Sequence, residues 1–407
     1  MILAQQSISK LYVFTTAYPF NGADRPFIEP QLPFLTQHFA EVVLVPYLVE
    51  GRSHPLPAGV SYETTYSDLR LGRFFSLSVW IGVLRDRDVY RELLRRPGQS
   101  INIIKHALIS RATALWVRKI NNPTLCYTMS LDAITLGLAK GRDQGVPIKV
   151  ISRCIGGDVY EDQHDSLYIP FKRAVLESAD RIFPCSEVMT EYLANQHPRH
   201  AHKMETLRMG VPDPEFIATS SRDGVRRVVS CGAMIPLKRY DLLAQAMVKL
   251  ASRQSEVCFE WRHIPLGPAD DKIISMAKNG LPPNLEIFIE DESIPVMGTY
   301  QNTSAELFVH TSSSEGLPFV IMEALSCGLP VLATDVGGVS ELVNSATGSL
   351  MPATIDAEKL TDCLWELLKD PEKLQAKKEA ARNCWKQHVN SDSNYAFFAE
   401  RLASLVS

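Results

Sequence analysis

ELFVHTSSSEGLPFVIMEALSCGLPVLATDVGGVSEL, residues 306–342, is the stretch that decides the fold. Four apolar or aromatic-type positions, 307–310, read as a short buried strand. The polar run 311–314 is then a turn at the strand's carboxyl end, where open α/β sheets bind their ligands. Glu315 closes that turn. Gly316 lets a ligand approach the backbone, because no Cβ intervenes. Pro318 suits the first position of a helix, which runs to about Cys327 and stops at Gly328, Leu329 and Pro330. Residues 331–334 form the next strand, and Gly337 with Gly338 gives a second close backbone approach after it. Glu323 lies eight residues beyond Glu315, so two carboxylates bracket the turn and the helix start. A carboxylate can accept two hydroxyl donors, which suits a polyol. The amides of the turn and first helical turn suit an anionic phosphate.

Outward from this stretch the same alternation repeats in both directions. Strands are expected at 227–231, 257–263 and 285–287, with helices at 240–250, 319–327 and 357–368. Upstream, strands are expected at 11–15, 40–48, 125–128, 148–152 and 181–185. Helices fall at 30–39, 171–178 and 187–196, the last with Ser186 as N-cap. Short apolar strands alternating with amphipathic helices mean an α/β fold with parallel sheets. The turn-rich segment 209–225 is the best linker. The expected division is 1–208, linker 209–225, a second α/β domain 226–385, and a C-terminal helix in 386–407.

The 407 residues suffice for two such domains with real cores. Composition is ordinary, 45% apolar and 22% charged, and the net charge of -4 argues against a nucleic-acid binder. The eight cysteines contain no CxxC pair and read as reduced, buried thiols of a cytoplasmic protein. No signal peptide is read at the start, and no stretch is apolar enough to span a bilayer. No Asp-x-Asp is present and the histidines are scattered, so no metal site is expected. Residues 70–119 differ from the rest: eleven basic side chains stand against three acidic ones, interleaved with Phe74, Phe75, Trp80, Ile81, Leu84 and Trp116. Basic and aromatic residues at helical spacing suit contact with an anionic membrane face, or else a solvated helical insertion.

The quoted stretch resembles the signature of glycosyltransferase family 4, in which a glutamate, seven residues and a second glutamate mark the donor site. Here these are Glu315 and Glu323 within EGLPFVIME. The resemblance is nearest in type to bacterial exopolysaccharide and colanic-acid-type enzymes. It implies the GT-B fold: two Rossmann-like domains facing across a cleft, with the C-terminal helix crossing back to the first. It also implies retaining, metal-independent transfer of a hexose from a UDP- or GDP-sugar to a lipid-linked or polysaccharide-repeat acceptor, with no cofactor. By this resemblance Glu315 contacts donor-sugar hydroxyls, with the amides of Gly316 and Leu317 beside Pro318 near sugar or phosphate. Glu323 holds the ribose. Gly337 and Gly338 line the donor as well.

In SCGAMIPLKRYDLL, residues 230–243, Gly232 ends a strand and Lys238 matches the family's lysine, which neutralises the leaving diphosphate. The family's arginine position is Ala233, and Arg239 is the candidate to supply the missing charge. In SRCIGGDVYED, residues 152–162, Arg153, Gly156, Asp158 and Tyr160 match on the acceptor side, with Asp158 a substitute for the family histidine whose position is Ile155. A turn-capping role for Asp158 stays open. Tyr18, Arg25 and Glu29, from YPFNGADRPFIE, are placed near the acceptor; Gly22 is the single glycine of that loop. His263, in Trp-Arg-His, either sits near the nucleotide or is a satisfied core histidine. Ile155 and Ala233 leave one alternative: a GT-B protein that binds nucleotide-sugar with lost or weak turnover.

Overall fold

The computed structural model describes residues 10–21, 24–220, 223–268, 271–278, 280–291 and 293–406, and the side chains of these except 69–71, 272 and 276–278. Gly22 lies outside the described residues. The chain divides into two compact units: residues up to Met209 together with those from Ser393 onward, and Gly210–Asp392.

The first unit is built on six parallel strands: β1 (Lys10–Thr15), β2 (Glu41–Pro46), β3 (Val60–Tyr62), β4 (Thr124–Thr128), β5 (Ile148–Cys154) and β6 (Arg181–Pro184). Their order across the sheet is β3-β2-β1-β4-β5-β6. The second unit holds β7 (Arg226–Gly232), β8 (Phe259–Pro265), β9 (Leu285–Ile289), β10 (Leu307–His310), β11 (Val331–Thr334) and β12 (Gly348–Met351), ordered β12-β11-β10-β7-β8-β9. Both have a doubly wound topology, in which the strand order reverses and opens a crevice at the carboxyl ends. In the first sheet that place lies between β1 and β4, in the second between β7 and β10.

Parallel strands covered on both faces are apolar throughout rather than alternating. Accordingly β4 and β10 are buried at every position. The second core packs Leu307, Val309, Trp261, Leu243, Met247 and Leu364 together. Helices follow the expected capping chemistry. The Ser186 side chain accepts from the Met189 amide at the start of Glu187–Gln196. The helical insertion is not one element. It breaks into Thr65–Phe75, Leu77–Leu84, Arg87–Arg95 and Ser100–Trp116, interrupted at Ser76, Asp86 and Pro97.

The C-terminal helix Ser391–Ser404 packs back onto the first unit. Its Phe398 ring meets Tyr127 at 5.2 Å and Phe183 at 5.9 Å between ring centres. The Arg153 guanidinium lies 3.9 Å from the same ring, a cation–π contact. Arg401 pairs with Glu205 at 2.9 Å.

Candidate donor-sugar site

The site of the second unit grows from the ends of β7 and β10. Gly232 closes β7 at φ +151°, and a Cβ there would stand 2.4 Å from the Tyr240 hydroxyl, which donates to the Cys231 carbonyl. The chain then turns through Pro236–Lys238 into the helix Tyr240–Arg253. Arg239 takes the left-handed conformation at that junction. Its guanidinium donates to the carbonyls of Thr311 (2.6 Å), Ser312 (3.0 Å) and Ala353 (2.8 Å). The Thr311 hydroxyl returns a bond to the Lys238 carbonyl at 2.7 Å, and the Ser313 amide one to Leu237 at 2.9 Å. The two loops are thus stapled together through their main chains.

This stapling brings Lys238 onto Glu315. Lys238 Nζ lies 2.5 Å from Glu315 Oε1, and His310 Nε2, at the last position of β10, lies 2.8 Å from the same oxygen. Burial by itself would raise the Glu315 carboxyl. The His310 hydrogen bond and the Lys238 ammonium outweigh it and hold the group at about 2. Glu315 is therefore a fixed carboxylate, with no protein partner on Oε2 among the described residues.

Pro318 stands at the N-cap of the helix Phe319–Ser326, one residue earlier than expected. The amides of Gly316 and Leu317 ahead of it make no hydrogen bond among the described residues. Gly337 sits at φ +52°, and a Cβ on it would come within 1.9 Å of the Glu315 carbonyl. The Gly338 amide donates to the Gly316 carbonyl at 2.8 Å. The two glycines are what allow the loop after β11 to lie against the Glu315 turn. The Glu323 carboxyl, on the helix, makes no hydrogen bond among the described residues, and burial raises it to about 7.

Four expected substrate contacts are otherwise engaged. Arg239 spends its charge on carbonyls, so it organises the loops instead of replacing the arginine absent at Ala233. His263 is the satisfied core histidine. The Trp261 indole donates to Ser230 Oγ at 2.9 Å, Ser230 lies 2.8 Å from His263 Nδ1, and Nε2 lies 3.1 Å from the Gly232 carbonyl. That chain requires the neutral Nε2–H tautomer, and burial lowers the imidazole to about 4. Asp158 is a buried turn cap that accepts from the amides of Leu131, Ile155 and Gly156 at 2.8, 3.0 and 3.0 Å. It is not a stand-in for a catalytic histidine. Arg153 is wholly buried, donating to Tyr127 Oη and the Leu207 carbonyl under Phe398, and so serves helix packing rather than an acceptor.

In the first unit Tyr18, Arg25 and Glu29 do come together after β1. Arg25 Nε is 2.8 Å and Tyr18 Oη 3.4 Å from the Glu29 carboxylate. Burial and Glu29 raise Tyr18 to about 12. Asp24 holds this loop by accepting from the amides of Thr16, Ala17 and Tyr18. Gly156, at φ +136°, and Tyr160, its ring centre 5.1 Å from that of Tyr192 with the rings tilted by 53°, lie after β5. Sequence reasoning missed His310 and Asp24; the one signal for His310 was a lone histidine ending an apolar strand ahead of Glu315.

Residues 213–384 match the family described as glycosyl transferases group 1. Residues 213–384 belong to that family, and the chain has the GT-B fold. Within the family, a Corynebacterium glutamicum GDP-mannose-dependent monoacylated alpha-(1-6)-phosphatidylinositol monomannoside mannosyltransferase is 38% identical over 92 residues, 23% of each chain. A putative colanic acid biosynthesis glycosyltransferase of Salmonella typhimurium is 24% identical over 284 residues, 66% of each. The chain thus spans from about a quarter to two-thirds of these curated relatives. The solved structure of Anabaena Alr3699/HepE in complex with UDP and glucose covers 98% of this chain and 100% of its own, at 15% identity and a TM-score of 0.66. That likeness concerns the fold.

Among the described residues no group of three His, Cys, Asp or Glu could hold a metal ion, and no helix is long and apolar enough to cross a membrane.

Proposed function

We propose that this chain is a retaining hexosyltransferase that moves a sugar from a UDP- or GDP-sugar to a lipid-linked or polysaccharide-repeat acceptor. The observation that carries the proposal is the cluster around Glu315. One buried carboxylate held ionised, one lysine and two unbonded amides meet at the topological switch point of the second sheet. A neutral ligand would waste the amides and the lysine; a bare anion would be repelled by Glu315. A sugar diphosphate satisfies all of them. Its hydroxyls donate to Glu315 Oε2, and its phosphates accept from Lys238, Gly316 and Leu317. Glu323, when ionised, takes the ribose hydroxyls.

In the reaction the bond from the anomeric carbon to the diphosphate oxygen breaks, and its electron pair stays on the phosphate. Lys238 and the amides stabilise that growing charge. The acceptor oxygen bonds to the same face of the carbon, and its proton passes to the departing phosphate oxygen. Glu315 orients the sugar and is not a nucleophile here, in contrast to hydrolases that flank the bond with two working carboxylates. Lys238 supplies the neutralising charge, so the scheme calls on no metal.

The lipid-linked acceptor fits the helical insertion. Phe75, Leu77, Leu84, Leu94 and Ile101 are exposed there, beside exposed Arg85, Arg91, Arg95, Arg96 and Lys105. Arg73, by contrast, is buried against Tyr47 and Phe74. Apolar tips with a cationic rim suit the inner, anionic face of a membrane. The protein is expected to float with phosphatidylglycerol-containing vesicles and not with phosphatidylcholine ones, and Phe75→Asp with Leu94→Asp is expected to abolish flotation. Equal binding to both lipids, or none, would refute the membrane contact.

The function itself is tested by saturation-transfer NMR against UDP- and GDP-sugars, followed by release of UDP or GDP with lipid extract present. Binding of one donor with lipid-dependent release is expected. Binding with no release from any extract would favour the non-catalytic alternative, which Ile155 and Ala233 motivate. Silence toward every nucleotide-sugar by folded protein would overturn the proposal.

A further inference from the structure

Glu315 Oε1 receives two donors at once, Lys238 Nζ at 2.5 Å and His310 Nε2 at 2.8 Å, while Oε2 receives none among the described residues. A carboxylate oxygen offers two lone pairs. Oε1 is therefore filled by the protein, and Oε2 is left whole. Lys238 has a task of its own in the proposed transfer, which is to meet the diphosphate. His310 is wholly buried and bears on the site through Glu315. Its bond decides which oxygen stays open.

The two donors differ in stiffness. Lys238 carries three N–H donors on a flexible four-carbon stem, and its side chain is partly exposed. Left alone with Glu315, such an ammonium can straddle both oxygens, because the terminal torsion of a glutamate is broad and lets the carboxylate turn. His310 cannot follow it. It ends β10, and its ring lies 18° from parallel to that of Phe308, with ring centres 6.5 Å apart. Glu315 is held as a carboxylate and can only accept, so His310 Nε2 carries a proton. His310 Nδ1 makes no hydrogen bond among the described residues, so the ring's hydrogen bonding there is spent on Glu315 alone. One N–H on a fixed ring pins one oxygen and stops the carboxylate from turning both toward the lysine.

We propose that His310 is a positioning residue for the donor sugar: by holding Oε1 beside the ammonium it reserves Oε2, with both lone pairs, for sugar hydroxyls. That role presupposes the donor reading of the site proposed above. The imidazole touches neither sugar nor diphosphate in this role and moves no proton. Without it the ammonium draws both oxygens of Glu315 to itself, and the sugar loses its acceptor. The phosphates keep Lys238 and the amides of Gly316 and Leu317. Loss of His310 is thus felt by the sugar and not by the nucleoside diphosphate.

The test is calorimetry on full-length protein, comparing UDP-glucose, UDP-galactose, UDP-N-acetylglucosamine and GDP-mannose with bare UDP and GDP. His310→Phe keeps a ring but no N–H, and His310→Gln returns an N–H donor. In His310→Phe the affinity for the sugar nucleotide that wild type binds is expected to fall roughly tenfold or more, the worth of hydrogen bonds to a charged acceptor. Affinity for the bare nucleotide is expected to change little, and His310→Gln to recover most of the loss. A merely structural role would weaken both ligands in step. Equal losses for sugar nucleotide and bare nucleotide, no loss of either, or a loss that His310→Gln leaves unrelieved would overturn the proposal while wild-type binding kept the donor reading. Wild type itself gives a second measurement, independent of how His310→Phe folds. In 15N-histidine spectra, with His310 assigned among the ten histidines by its absence in His310→Gln, Nε2 is expected to carry a proton. A bare Nε2 could not donate to Glu315 and would overturn the role. Failure of wild type to bind any sugar nucleotide would instead sink the donor reading, and this role with it.

Discussion

Glu315→Gln and Lys238→Met are each expected to lower kcat/KM for sugar transfer by roughly 10²–10³-fold, the range for removing one preorganised partner of developing charge. The double variant is expected to be little worse than either single one. Lys238 and Glu315 share a bond of 2.5 Å, and a unit of this kind loses its effect once, not twice. The two variants should differ in what fails. Lys238→Met removes charge that the diphosphate meets chiefly as it departs, so kcat falls more than KM rises. Glu315→Gln removes a hydroxyl acceptor felt already in the bound sugar, so donor affinity falls too. In Lys238→Met, the His310 bond is left to hold the buried carboxylate, and Glu315 moves upward from about 2. A depressed carboxyl stabilises the fold above its usual range and loses that contribution as pH falls through the folded value. Wild type should therefore keep this contribution to about pH 2, while Lys238→Met unfolds at higher pH. Steady-state kinetics with the identified donor, and acid unfolding followed by circular dichroism, check both statements. Additive losses in the double variant would show that the pair does not act as a unit.

The strand, turn and helix around Glu315 were legible because each carries its own local signal: an apolar run, a polar turn, glycine, proline, then a largely apolar helix. β10, β11 and the helix Ala357–Leu368 fall where their patterns put them. β12 (Gly348–Met351) was missed because four residues beginning with glycine carry no pattern. The helix Ala133–Asp143 was missed because Asp132 caps it after a turn that reads as loop. Side-chain direction was the harder problem. A strand buried on both faces shows no alternation, so nothing in the order of residues told that Arg153 runs under Phe398 or that His263 turns into Ser230. His310 stayed hidden for the same reason. Its partner Glu315 is five residues on, across a turn whose path fixes the contact. Arg239 shows the limit of charge counting: a cation beside an anion site can be committed to carbonyls before any ligand arrives.

Glu323→Gln is expected to stabilise the free protein and weaken donor binding together. The wild-type carboxyl lies near 7 in the fold, raised from 4.5 by burial. A raised carboxyl favours the folded state only below its unfolded value. As pH rises from about 4.5 to 7 that advantage is lost, because the unfolded chain ionises and the folded one resists. Above pH 7 the carboxylate is a buried charge with no protein hydrogen bond among the described residues. Removing that charge is worth about 3 kcal/mol of folding stability, the free-energy equivalent of a carboxyl displaced from 4.5 to about 7. Denaturant titrations should show this gain at pH 8 and almost none at pH 4. The same charge gives the ribose its partner. Donor binding therefore selects the ionised form, and affinity for the donor should fall about tenfold for each pH unit below 7, while the variant is flat with pH and weaker at pH 8. Near pH 7 donor binding should also release a proton, seen by calorimetry as a heat that changes with the buffer's ionisation enthalpy. A variant stabilised equally at both pH values would remove the charge from this account. A wild-type donor affinity that ignores pH would remove Glu323 from the ribose. The residue would then be a buried acid tolerated for some other reason, and the nucleotide would have to be held by main chain alone.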